Sequence, residues 1–193
     1  MTPIVSLRFL TEPAYALVGA ILPREEGSAE VRLLVSPGTV LAYPPQARPL
    51  LEYLSILRSE SDVVDQVTHW GGAPDDLDGL VRDGCLIRLP AHDEEAVRAE
   101  VEGLALWVTA VAVAAPDGQS VLLRLPTDDA VAISPVTAAV LDAPDLRSLG
   151  FGVRDASAKT SMTQEHIWRH VLYDLTAILT TGTGSLLRVG AEP

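Results

Sequence analysis

Residues 73–89, APDDLDGLVRDGCLIRL, decide the fold that the sequence predicts. Three apolar residues of this stretch recur at the spacing of one helix face, namely Leu77, Leu80 and Val81. Gly84 suits the left-handed residue that ends such a helix. The apolar run that starts at Cys85 is typical of a strand. The stretch therefore predicts a short helix, a tight glycine turn and a strand.

The pattern around this stretch occurs twice along the chain. At a shift of 90 residues, the apolar run 31–35 lies over 121–125, and 40–43 lies over 130–133. Pro45, which opens a helix, lies over Pro135. After a longer shift, the run 185–189 mirrors 85–89 and makes Arg88 and Arg188 counterparts. We interpret this as a duplication with one module in residues 1–92 and a second in residues 93–193.

The second copy departs from the first in its helical part. Residues 144–160 are polar and contain glycine, and they replace the second helix of the first copy with a less regular segment. A long helix follows, with Ser161 or Thr163 as its N-cap, and it extends to about Thr180 before Gly182 stops it. The second copy is therefore about ten residues longer.

The predicted fold class is α+β, with two tandem winged-helix modules of three strands, helices and a wing strand. The chain resembles the PqqD-like winged-helix domain, also called the RiPP recognition element, which binds the leader part of a precursor peptide. Six segments carry the likeness: 31–43, 45–57 and 62–89, and more weakly 121–133, 135–142 and 161–189. The resemblance implies that a peptide adds as a strand beside the third strand and packs on the third helix. The strand and helix positions that it indicates are Val40, Leu41, Tyr43, Leu77, Leu80, Val131 and Ile133.

The long helix of the second copy carries the side chains best suited to contacting a partner. Aromatic residues and arginine are enriched among binding hot spots, and the candidates here are His166, Trp168, Arg169, His170 and Tyr173. A different interpretation uses the spacing of His166, His170 and Asp174, which share one helix face and could hold a metal in an enzyme or sensor. A polar stripe opposite the core face is the simplest interpretation of the same pattern.

The charge of the chain disfavours nucleic acid and anionic lipid as partners. The formal net charge is −12, and each half is acidic. Phosphate binding requires grouped basic residues, whereas the helix of the opening stretch has aspartates at positions 75, 76, 78 and 83. The alternative of a DNA-binding regulator would rely on the second module, through Arg154, Lys159 and Arg169.

Apart from the possible metal site, the sequence contains no nucleophile–base pair and no nucleotide-binding fingerprint. Cys85 is the single cysteine, it opens an apolar strand, and it has no histidine nearby in sequence, so we interpret it as a small buried residue. The longest apolar run, 104–115, is shorter than a membrane span. The sequence thus predicts a cytoplasmic, non-catalytic module that binds a peptide or protein, and it leaves open whether the chain forms a homodimer.

Overall fold

The computed structural model describes residues 10–24, 29–73, 75–116, 118–124, 130–142 and 146–189, and the fold is mixed α/β. The elements of the first half are β1 (Ala14–Leu17), β2 (Ala20–Ile21), β3 (Val31–Ser36), β4 (Thr39–Tyr43), a 3-10 turn (Pro45–Ala47), α1 (Arg48–Leu54), β5 (Arg58–Ser59), α2 (Glu60–His69), α3 (Asp75–Arg82) and β6 (Leu86–Leu89). Those of the second half are α4 (Glu94–Val101), β7 (Leu104–Val108), β8 (Val111–Ala114), β9 (Val121–Arg124), β10 (Ala130–Ile133), α5 (Pro135–Leu141), α6 (Leu149–Lys159), α7 (Gln164–Thr181) and β11 (Gly184–Arg188).

The described strands form four small antiparallel sheets. Each half has a three-stranded meander, β2-β3-β4 before α1 and β8-β9-β10 between α4 and α5. The strand that follows the last helix pairs with the first strand of its own half, so that β6 lies beside β1 and β11 beside β7. The apolar run 104–115 divides into β7 and β8, which belong to different sheets.

The register of the meanders repeats at the predicted shift of 90. Val31 is opposite Tyr43 and Leu33 is opposite Leu41 in the first half. The same pairing, Val121 with Ile133 and Leu123 with Val131, recurs in the second half. At the shift of 90, Ala14 corresponds to Leu104, and these two residues pair with Leu89 and Arg188. The pairing therefore makes Leu89 the counterpart of Arg188, one residue away from the prediction. Arg88 and Arg188 are therefore not counterparts.

The opening stretch folds as a helix, a turn and a strand. Gly84 has φ +69°, and the amide of Cys85 donates to the carbonyl of Leu80, which closes the helix end. Gly182 has φ +69° and ends α7 in the same way. Leu77 and Leu80 are buried, but Val81 is 42% exposed, so its assignment to the apolar face was wrong.

The segment that we expected to be irregular contains a regular helix, α6. Its N-cap is Ser148, whose hydroxyl accepts from the amide of Phe151 at 3.2 Å. The glycines that argued against a helix are used for close packing, because a Cβ on Gly152 would lie 2.9 Å from the carbonyl oxygen of Val140, and one on Gly150 would lie 3.0 Å from that of Glu102. The prediction failed because these contacts come from elements distant in sequence.

Two hydrophobic cores lie side by side, and one of them spans the predicted module boundary. The first core contains only first-half residues, including Leu33, Leu51 and Leu86. The second core is built around α7 and also contains Ala14 and Leu89 of the first half. The boundary at residue 92 stays a prediction, but the second core is not made by the second half alone.

Backbone hydrogen bonds and one arginine connect the halves directly. The amide of Gly19 donates to the carbonyl of Leu186 at 2.7 Å, and the amide of Leu57 donates to that of Leu179 at 3.0 Å. The Arg188 guanidinium donates to the carbonyl of Gly84 at 3.0 Å. Within the described part of the chain, no helix has both the length and the apolar character that a bilayer crossing requires.

Candidate peptide-binding groove

A groove of about 670 Å³ lies between the edge strand β10 and the N-terminal half of α7. One wall comes from the end of β10 and the other from α7, and the start of α4 and the β8–β9 turn complete it. Its lining residues are Glu94, Ser120, Ala132, Ile133, Ser134, His166, Arg169, His170, Tyr173 and Asp174. The groove therefore brings together the strand and the helix that carry the predicted partner-binding residues of the second half.

The hydrogen-bonding phase of the sheet leaves backbone groups of β10 facing this groove. The amide of Ala115 donates to the carbonyl of Ser120 at 3.0 Å, which makes this a hydrogen-bonded pair of the β8–β9 hairpin. Hydrogen-bonded and non-bonded pairs alternate along antiparallel strands. The backbone N–H and C=O of Leu123 on β9 therefore point toward β10, where Leu123 pairs with Val131. The N–H and C=O of Ala132 then point away from the sheet. No described strand pairs with that side of β10.

Asp174 fixes the point at which the open edge ends. Its carboxylate Oδ2 accepts from the backbone amide of Ser134 at 2.8 Å, and the residue is only 4% exposed. Ser134 is also the N-cap of α5, since its hydroxyl accepts from the amide of Thr137 at 3.1 Å. The N–H of Ser134 points away from the sheet like that of Ala132, but it is hydrogen-bonded to the carboxylate of Asp174. A strand added to β10 can therefore bond to the N–H and C=O of Ala132 but not to the N–H of Ser134.

The α7 wall offers imidazole and phenol groups to the groove. The rings of His166 and His170 lie in edge contact with centroids 4.9 Å apart. Tyr173 is 47% exposed. Arg169 forms an ion pair with Glu165 at 3.5 Å, and both side chains are more than 60% exposed. These groups can contact the side chains of an added strand while β10 binds its backbone.

Trp168 is a core residue and not the exposed anchor that we expected. It is 2% exposed and belongs to the second core. The guanidinium of Arg98, on α4, stacks over its ring with the Cζ atom 5.2 Å from the ring centroid. The helical spacing of Ile167 and Val171 indicates the core face correctly, but only the position of α4 decides that the neighbouring Trp168 is also covered.

The extra length of α7 creates the second-half groove. Helix α7 has 18 residues and α3 has 8, and both end at equivalent glycines. His166 and His170 therefore lie on the additional N-terminal turns. The described part of α3 has no counterpart of these turns, so the two halves offer different surfaces.

The first-half candidates are mostly engaged within the protein. Leu77 and Leu80 are buried in the first core, and Leu41 packs against it. The hydroxyl of Tyr43 donates to the sulfur of Cys85 at 3.2 Å, and burial raises the pKa of both the Tyr43 hydroxyl and the Cys85 thiol. Val40 is 38% exposed and lies on the β4 edge.

The edge of β4 has the same phase as the edge of β10. The amide of Leu22 donates to the carbonyl of Arg32 at 2.9 Å. By the same alternation, the backbone groups of Ala42 point away from the sheet. Ala42 is the counterpart of Ala132 at the shift of 90. The two halves thus present the same backbone edge, and they differ in the length of the last helix.

The residues of the alternative interpretations have other contacts. Asp174 is hydrogen-bonded to Ser134, and within the described ranges no three His, Cys, Asp or Glu side chains are grouped to hold a metal ion. Lys159 forms an ion pair with Asp155 at 2.7 Å. Arg154 lies with its guanidinium carbon 5.9 Å from the centroid of the Phe151 ring. The basic residues predicted to contact DNA thus lie beside acidic or aromatic neighbours.

Sequence reasoning did not include five residues that line or end this groove among its candidates for partner binding: Glu94, Ser120, Ala132, Ser134 and Asp174, the last of which was named only as a possible metal ligand. Val131 and Ile133, the candidates that it named on β10, are buried, and alternation along the strand places Ala132 on the opposite, exposed face. No local pattern connects Glu94 to α7. Comparisons of the chain with protein-family models, with curated proteins and with solved structures found no match.

Proposed function

We propose that this protein binds an extended segment of a peptide or protein partner by strand addition to β10, without catalysing a reaction on it. The observation that carries the proposal is the outward N–H and C=O of Ala132 beside a groove of about 670 Å³. An open strand edge supplies backbone hydrogen bonds, and an adjacent groove selects side chains.

The proposal includes a relationship between fold and partner. We infer that the halves derive from a winged-helix module like the RiPP recognition element, in which the third strand and third helix hold a leader peptide. This inference is supported by the position of β10 as the third strand of its meander and of α7 as the third helix after that meander. A precursor leader is then the favoured partner, and a separate chain would modify it.

The two edges are proposed to have different roles. Strand β10 has the groove beside it, whereas β4 has the same hydrogen-bonding phase in the half whose last helix, α3, is shorter. An added strand would gain backbone hydrogen bonds at either edge, but contacts with His166, His170 and Tyr173 only at β10. We therefore assign binding to the second half.

A proline at Ala132 tests this assignment. Proline removes the outward N–H of residue 132, which donates to no described strand, so the sheet is retained. Peptides of about ten random residues, displayed and selected on the wild-type chain, are expected to lose at least about tenfold in affinity on Ala132→Pro, the equivalent of about 1.4 kcal/mol.

The matched control is Ala42→Pro, which makes the same change at the equivalent edge position of the first half. It is expected to leave the affinity unchanged, and circular dichroism is expected to show both variants folded. If the selected peptides bind a folded Ala132→Pro variant as tightly as the wild type, strand addition to β10 is wrong.

A further inference from the structure

We propose that the segment bound along β10 carries net positive charge, with a lysine or arginine side chain beside Glu94. This inference rests on the proposed function, because it specifies the chemistry of the partner in the same groove. It concerns side-chain selection, which is separate from the backbone hydrogen bonds at Ala132.

The fixed charges of the groove favour a cation. Among its lining residues, Glu94 and Asp174 are acidic and Arg169 is basic. Arg169 forms an ion pair with Glu165, whose Oε1 lies 3.5 Å from its Nε, and the carboxylate of Asp174 is hydrogen-bonded to the amide of Ser134. Glu94 is exposed at the rim, in the first turn of α4, and is therefore the carboxylate that a bound segment can reach.

The charge of the whole chain acts in the same direction. A formal charge of −12 on 193 residues produces a field that attracts cationic segments and repels acidic ones. Complementary charge of this kind raises the association rate and excludes partners of the wrong sign. An acidic segment would have to approach against this field and then lie beside Glu94.

The experiment uses the same displayed random peptides of about ten residues, and it retains those that bind the wild-type chain and are lost on Ala132→Pro. We expect lysine and arginine to outnumber aspartate and glutamate in this set. Glu94→Gln is expected to weaken binding of a retained cationic peptide about two- to fivefold, as for an exposed ion pair. Glu95→Gln removes the same charge from the next residue, which lies outside the groove lining, and is expected to have a smaller effect.

The outcomes separate this inference from the proposed function. Retained peptides that are neutral or acidic would overturn the charge inference and leave strand addition intact. Equal effects of Glu94→Gln and Glu95→Gln would overturn the placement of the charge beside Glu94. A selection that retains no Ala132→Pro-sensitive peptide would reject the proposed function itself.

Discussion

Replacing Gly152 with alanine is expected to destabilise the protein, although alanine is the better helix former. Gly152 lies within α6, where local propensity alone would favour alanine by about 1 kcal/mol. The added Cβ, however, would lie 2.9 Å from both the Cγ1 and the carbonyl oxygen of Val140. The carbonyl belongs to α5 and cannot move without moving that helix.

The two effects can be compared in magnitude. Overpacking a well-packed core typically costs about 1–3 kcal/mol, which exceeds or cancels the propensity gain and leaves a net loss of up to about 2 kcal/mol. For a chain of this length, each 1 kcal/mol shifts Tm by about 2–4 °C. Gly152→Ala is therefore expected to lower Tm by up to about 8 °C.

Gly79 provides the matched control. It lies within α3, and a Cβ built there has no neighbouring atom within 4 Å. Gly79→Ala is therefore expected to show only the propensity gain and to raise Tm by about 2–4 °C. Scanning calorimetry of both variants measures the difference. If Gly152→Ala raised Tm as much as Gly79→Ala does, the close helix–helix contact inferred between α6 and α5 would be wrong.

Two further predictions concern polar contacts. Asp174→Ala leaves the amide of Ser134 without its acceptor and is expected to lower the unfolding free energy by about 1.5–3 kcal/mol. Asp174→Asn retains a side-chain oxygen and is expected to lower it less. Equal losses for the two variants in urea denaturation would contradict this. The Arg88 guanidinium, which donates to both carboxylate oxygens of Glu60 at 2.8 and 2.7 Å, lowers the pKa of Glu60. The stabilisation by this pair is thus present above the ordinary pKa of glutamate and is lost as the pH falls through the lowered pKa of Glu60. The difference in unfolding free energy between wild type and Arg88→Met is therefore expected to shrink on acidification. A difference that stays constant with pH would refute the assignment.

The sequence predicted the local structure well where short-range signals act. The apolar spacing of Leu77 and Leu80, followed by Gly84, predicted the end of α3 and the strand β6. Thr163 was one of two expected N-caps, and its hydroxyl accepts from the amide of His166 at 3.3 Å. The shift of 90 predicted the register of both meanders. These signals are local because capping, periodicity and turn chemistry depend on residues within a few positions.

The candidate groove was predicted only in part. Its two elements, β10 and α7, were indicated together with His166, His170 and Tyr173. Trp168 was assigned to the surface, because the sequence does not show that α4 lies over it. The side chain of Ala132 carries no signal that its backbone N–H and C=O point away from the sheet. The sequence alone could therefore not distinguish Ala132 from an ordinary exposed alanine.

The sequence by itself therefore determined most of the elements, several of their caps and the shift of 90 that relates the two meanders, since each of these depends on neighbours along the chain. Only the tertiary structure decided that Gly152 belongs to a close helix contact, that the second core takes Ala14 and Leu89 from the first half, and that Glu94 faces the groove. The physical reason is the same in each case. Burial, close packing and charge proximity are properties of atoms that meet in space from distant positions in the chain.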